Sequence, residues 1–332
     1  MKFGWSWHKR NTSVPHAPFG CFEHFKNMDS AEALVREVVQ NSWDARRGKE
    51  QVKVTFTLSN VDANIREKYL PSKGKGSQFR HLEACLADDE EGPMRKYMVN
   101  WDRLSDGEGN WLGDSMPVLI IEDFGTMGLD GATSTDPPVK GRFTAYQREW
   151  ARNDNDDGGG AHGYGKASLS YASDAYAVFS LSTRHNEDGD LSTVLMGTTI
   201  LAAHELPAPL DPSGKHTHYE WTCMYAEYDP EVENGEWHEI LLENSGHNDH
   251  VREFAENFNL TRTMDSEEQR GLSIVIPYPR QSITLKRLVE EAARNYFTLI
   301  LTGNLVVEIH EDSKQVVLDK DSLRDLLEAV RT

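Results

Sequence analysis

The chain has 332 residues, 38% of them hydrophobic, enough to build the core of one large α/β domain or two ordinary ones. Its 35 Lys and Arg against 54 Asp and Glu leave a formal charge of −19, a balance that argues against a broad nucleic-acid footprint. No apolar run reaches the length of a membrane span, and the N-terminus lacks the apolar segment of a signal peptide. The three cysteines, Cys21, Cys85 and Cys223, are too scattered for a disulfide framework or a metal cluster, so the expectation is a cytoplasmic protein away from membranes.

Residues 1–28 are rich in aromatic, His and Pro residues without a clear period, and read as a strap whose aromatics must dock on something. Asp29 to Arg47 reads as a helix, with Asp29 and Glu32 as a capping pair, Leu34, Val35, Val38 and Val39 as its apolar side, and Gly48 as its stop. Residues 51–58 alternate like a half-buried strand, and about 60–115 reads as a polar insertion, helical around Phe79 to Leu86. Pro117–Glu122 is a buried strand, and about 130–165 a mobile loop ending in glycines. A helix starts at 167–172, followed by strands at 175–182, 192–201, 217–224 and 270–277. The tail predicts a small α/β appendage: a helix near 283–301, strands near 304–309 and 314–318, and a helix over 321–331.

Three segments carry chemistry. Glu37, Asn41 and Asp44 fall on one face of the first helix. A carboxylate one turn from an amide can polarise a water while the amide oxygen completes a Mg²⁺ shell of waters and phosphate oxygens. The ordinary alternative is a solvated polar stripe. Asp123, Gly125 and Gly128 follow an apolar strand: a carboxylate there can accept from an exocyclic amine, and the glycines let the backbone approach a flat ring. The alternative is a plain strand-to-loop turn. The third segment holds glycine at five of the eight positions 158–165, then Lys166, with a helix immediately after. Successive amides and a lysine suit phosphate oxygens, against the alternative of a flexible surface loop. Gly160, Gly165 and Lys166 imitate a P-loop, but Ala167 stands where that motif needs Ser or Thr, and no strand precedes it.

In this order and spacing the segments resemble the GHKL superfamily, which includes gyrase-type topoisomerases, Hsp90-class chaperones, histidine kinases and MutL. Glu37, Asn41, Asp44 and Ala45 resemble its N-box, Asp123 and Gly125 its adenine motif, His162, Gly163, Tyr164, Gly165 and Lys166 its glycine-rich lid motif, and Gly271 to Ser273 its late core strand. The resemblance spans about residues 29–280. It implies a Bergerat ATP-binding fold, an α+β two-layer sandwich whose mixed sheet is covered by helices on one face, with the C-terminal appendage after 280. It also implies ATP and Mg²⁺ as cofactors. Glu37 would be the general base and Asn41 the metal ligand. Asp123 would meet the adenine amine beside Gly125, and His162 to Lys166 would face the phosphates. Asp44 would shape the base pocket. Two positions depart from the pattern. Met127 precedes Gly128 where a glycine is usual, and Leu272 replaces a common Thr, whose hydroxyl Ser273 would supply in another register.

Glu37 favours hydrolysis over phosphotransfer, because histidine kinases usually lack that base. The expectation is therefore a Mg-dependent ATPase with slow turnover, whose lid closure changes how two protomers, or the chain and a partner subunit, contact each other. The long insertion and the segment at Met196 resemble bacterial members of this superfamily, some from antiphage defence or DNA-related systems, an analogy only. The alternatives are a nucleotide-binding scaffold that recruits a partner without hydrolysis, and a histidine-kinase-like phosphotransferase. The appendage is too short for the transducer domain of many relatives, so the expectation is that the protein continues or a partner completes it. Lys286 could serve the γ-phosphate, although an exposed helix lysine is the ordinary reading.

Overall fold

The architecture follows from one strand that is apolar on both sides. In the computed structural model, β3 (Ser115–Phe124) buries Met116, Val118 and Ile120 in one cluster and Leu119 and Ile121 in another. A strand of that kind needs cover on both faces. The structure describes residues 1–10, 29–74, 76–87, 101–133, 141–148, 165–206, 216–242, 247–264 and 266–323.

Around β3 runs a single mixed sheet of eleven strands. β2 (Val52–Asp62) and β9 (Gly271–Pro277) flank β3 antiparallel. Beyond β9 lie β4 (Ala177–His185), β5 (Leu191–Ile200) and β7 (Thr217–Tyr228), with the short β6 (His204–Leu206) on β7 and β8 (Ile240–Leu241) on β5. β1 (Lys2–Lys9) closes that side by pairing with β7, so the N-terminal aromatics dock as an edge strand: Trp5 is buried and its indole N–H donates to the Tyr69 carbonyl at 2.8 Å. On the other side β10 (Leu305–Glu311) pairs parallel with β2, and β11 (Lys314–Leu318) follows it.

One face carries α1 (Ser30–Asp44) and α6 (Leu285–Leu301), with α4 (Gly165–Tyr171) beside α1. The other is filled by an aromatic cluster from α2 (Ala63–Tyr69), α3 (Gln78–Ala87) and α5 (Asn248–Asn257). There Phe179 sits 5.4 Å from Trp5, 5.2 Å from Tyr225 and 5.5 Å from Phe254, ring centre to ring centre.

This corrects the expected fold class. The chain is not a two-layer sandwich of the Bergerat kind with helices on one face: it is a large eleven-stranded sheet with few helices, and apolar clusters lie on both faces. The physical reason is the stretch read as a polar insertion, whose Tyr69, Phe79, Leu82 and Trp111 bury the second face. Nor do the last strands form an appendage of their own, because Leu305 to Glu311 run in register with Val52 to Leu58 and extend the same sheet. Among the described residues, no helix is long and apolar enough to cross a membrane.

Because Phe179 is fully buried at the centre of the aromatic face, Phe179→Ala is expected to lower the unfolding free energy by about 3–5 kcal/mol, read from a urea titration. A loss under about 1 kcal/mol would show that this cluster does not hold the second face.

Candidate functional site

α1 forms because Asp29 caps it, its carboxylate accepting from the Ala31 and Glu32 amides at 3.0 and 3.2 Å. Its buried side, Ala31, Leu34, Val35, Val38, Val39 and Ser42, lies on the sheet. The helix stops at Asp44, three residues short of the sequence expectation, because tertiary bonds replace helical ones. The Met127 amide donates to the Ala45 carbonyl and the Arg47 amide to the Gly125 carbonyl, both at 2.8 Å. The turn after β3 thus clamps the end of α1.

Under that helix end lies Asp123, 6% exposed. Its Oδ2 accepts from Ser42 Oγ at 3.0 Å, and its Oδ1 from Thr126 Oγ1 at 2.9 Å and the Leu272 amide at 2.6 Å. The buried Arg262 guanidinium donates to the Asp123 backbone carbonyl at 2.5 Å and stands 3.7 Å from Oδ1. Burial pushes the Asp123 carboxyl above its ordinary pKa, against the opposing pull of Arg262 and these hydrogen bonds. A Cβ on Gly271 would stand 2.5 Å from both the Asp123 carbonyl oxygen and its Oδ1, so this glycine is what lets the arginine, the carboxylate and β9 meet.

The other glycines of the motif serve the backbone. Gly125 has φ +75, and a Cβ there would lie 2.3 Å from the Gln51 carbonyl oxygen; Gly128 has φ +70 and sits against the Thr183 carbonyl. Both hold the turn where it can reach α1.

Glu37 and Asn41 lie on the flank of α1, Glu37 half-buried and Asn41 exposed. Asn41 Nδ2 donates to Glu37 Oε1 at 2.7 Å. Burial raises the Glu37 pKa, the Asn41 bond lowers it and the Asp44 charge raises it, for a net upward shift. Asp44 takes a bond from Gln40 Nε2 at 2.9 Å, and its backbone carbonyl accepts from Arg142 at 3.3 Å. Because its Nδ2 is spent on Glu37, Asn41 keeps its amide oxygen for a cation. One oxygen of this kind fits Mg²⁺, which keeps several waters and takes most other ligands from phosphates. Among the described residues, no group of three or more His, Cys, Asp or Glu is arranged to hold a metal.

Two expected members part from this cluster. Ser273 pairs with Glu122, whose side chain points to the opposite face from Asp123, and there its hydroxyl bonds Glu122 and Arg262, each at 2.9 Å. Leu272 occupies the position on Asp123's face. His162, Gly163 and Tyr164 lie outside the described residues, and Gly165 and Lys166 open α4.

Sequence reasoning passed over four residues. Ser42 was legible, since a small polar residue on the buried stripe, one turn after Val38, announces a buried partner. Thr126 sat inside the motif already singled out. Arg262 and Tyr146 gave no local signal. Tyr146 approaches the same strip of sheet from the segment 141–148: its hydroxyl is hydrogen-bonded to Ser180 Oγ at 3.0 Å, and its pKa is raised by burial and further by the charges of Glu37 and Asp123.

No family model matches the chain, and no curated protein matches it.

The raised Glu37 pKa sets a pH test. A carboxyl whose folded pKa exceeds its unfolded one contributes stability below the ordinary Glu value, and loses it as pH rises through the folded value. Glu37→Gln keeps the acceptor for Asn41 and cannot ionise, so at pH 7 it is expected to melt above the wild type, the gap closing toward pH 4. A gap independent of pH would show that Glu37 is not shifted.

Proposed function

We propose that the chain binds Mg²⁺–ATP on the strip of sheet beside α1 and hydrolyses it slowly. The observation that carries this is the hydrogen-bonded Glu37–Asn41 pair on the flank of α1, next to a buried, helix-anchored Asp123. The pair divides two tasks. Asn41 offers an amide oxygen, and Glu37 offers a carboxylate whose raised pKa makes it a stronger base toward water. When bound, Mg²⁺ would neutralise charge on the phosphates, with Asn41 as its protein ligand.

In the hydrolytic step Glu37 takes a proton from water as the water oxygen bonds to the γ-phosphorus. The bond from that phosphorus to the β–γ bridging oxygen breaks, and its electron pair leaves with ADP. Asp123 Oδ2 takes one bond from Ser42 and retains acceptor capacity for an exocyclic amine of the base. The resemblance to GHKL ATPases supports this assignment through Glu37, Asn41 and Asp123, and adds Gly165 and Lys166 for the phosphates. It supports it as a likeness of motifs, since the sheet is larger and covered on both faces.

Phosphate release and calorimetric titration with a non-hydrolysable ATP analogue, both with Mg²⁺, test the proposal on the full chain. Glu37→Ala is expected to cut turnover by at least about a hundredfold while leaving analogue affinity within severalfold, as loss of a general base does. Asn41→Ala should weaken the dependence on Mg²⁺. Analogue binding by a wild type that releases no phosphate would favour the scaffold reading, and no binding at all would end the nucleotide assignment.

A further inference from the structure

The strip of sheet assigned to the nucleotide is already covered by a part of the chain itself. Ser180 on β4 stands opposite Ile274 of β9, which stands opposite Ile121 of β3. The next row on the same face is Ser182, Leu272 and Asp123, with Leu272 held to the Asp123 carboxylate through its amide. Tyr146, bonded to Ser180, therefore lies two strands and one row from Asp123, on the face that carries α1. Burial raises the pKa of its hydroxyl, and the charges of Glu37 and Asp123 add to that against the Ser180 bond.

The segment that delivers the ring is held at several points. Gly141 bridges Gly131, the Thr144 hydroxyl donates to the Ala132 carbonyl at 3.0 Å, and Arg142 reaches the carbonyl of Asp44 at the end of α1. Thr144–Arg148 forms a single π-helical turn, a conformation rare in proteins and concentrated at functional sites. The ring packs against the cluster under α1 and against the smaller cluster around Phe143, but it does not fill the space beside it. A cavity with room for about one water adjoins it, lined by Gln147, Ser170, Ser180 and Thr198 as well as apolar groups. The walls are mixed, with these four polar side chains set among Leu169, Val178 and Ile200, so the buried phenol only partly fills its groove.

We propose that Tyr146 is an internal competitor for this groove: its ring holds the place a purine would take, and nucleotide binds after the segment 141–148 withdraws. The inference rests on the nucleotide reading. Two anchors would be released together, the bond to Ser180 and the Arg142 contact with the end of α1, so occupancy of the groove would be signalled to the helix carrying Glu37 and Asn41. The apparent dissociation constant is the intrinsic one divided by the open fraction, so removing the ring removes that penalty.

Wild type, Tyr146→Ala, Tyr146→Phe and Ser180→Ala, each checked for cooperative melting, would be titrated calorimetrically with Mg²⁺ and the β,γ-imido analogue of ATP. Tyr146→Ala is expected to bind about tenfold tighter or more, with Tyr146→Phe and Ser180→Ala between it and the wild type, because both keep the ring and lose an anchor. Equal or weaker binding by Tyr146→Ala, with a wild type that binds, would overturn the competitor and leave the nucleotide site standing. If Tyr146→Ala fails to fold, unchanged affinity in the two milder variants overturns it instead. An absence of binding by every folded variant would overturn both the competitor and the nucleotide reading.

Discussion

The buried carboxylate of Asp123 is the joint on which this site depends. It takes hydrogen bonds from α1 through Ser42, from the turn after β3 through Thr126 and from β9 through the Leu272 amide. Leaving a buried carboxylate short of one hydrogen bond costs about 1–3 kcal/mol, because its desolvation is then uncompensated. That cost pins three elements that are distant in sequence to one point. Arg262 completes the arrangement from beneath, through the space left by the missing side chain of Gly271. A buried ion pair is weak evidence for stability in itself, but a carboxylate joined to three separate elements fixes their register.

From that joint the residues divide into a buried set that holds the elements together and a more exposed set to which we assign the chemistry. Asp123, Ser42 and Thr126 are buried and hold α1 against β3, while Glu37 and Asn41 lie on the flank of the same helix, less buried than Ser42. The two sets are tied by the clamp between the Ala45 carbonyl and Met127 and between Arg47 and the Gly125 carbonyl. A rigid helix end is what a base and a metal ligand require if they are to meet a phosphate at fixed distance. The aromatic cluster on the far face supports the sheet without contributing to this chemistry.

Much of this was readable from the chain. The cap at Asp29, the apolar side of α1 and the strands β3 and β9 follow from periodicity and short apolar runs, and their ends shift by few residues. The N-terminal residues show no clear period, because Gly4 and the following His and Pro residues interrupt the alternation of Phe3, Trp5 and Trp7, so a strap and not β1 is what the sequence offers. α5 has no counterpart among the expected elements, although Val251, Phe254 and Ala255 share its buried side. What no local pattern holds is the parallel pairing of β10 with β2 across more than two hundred residues, or the cover of the second face by Tyr69, Phe79 and Trp111. The fold class was misjudged for that reason. Adjacent residues of one strand face opposite ways, so Leu272 stands on Asp123's face and Ser273, expected at the same site, on the other side of the sheet.

Hydrogen exchange on the full chain, with and without Mg²⁺ and a non-hydrolysable ATP analogue, tests the central claim most directly. The account predicts slower exchange over the end of α1 and its clamp, residues 37–47 and 123–129, and a change in 141–148, with the aromatic face around Tyr69 and Phe254 unaltered. Exchange unchanged by the analogue, or protection confined to that aromatic face, would contradict it.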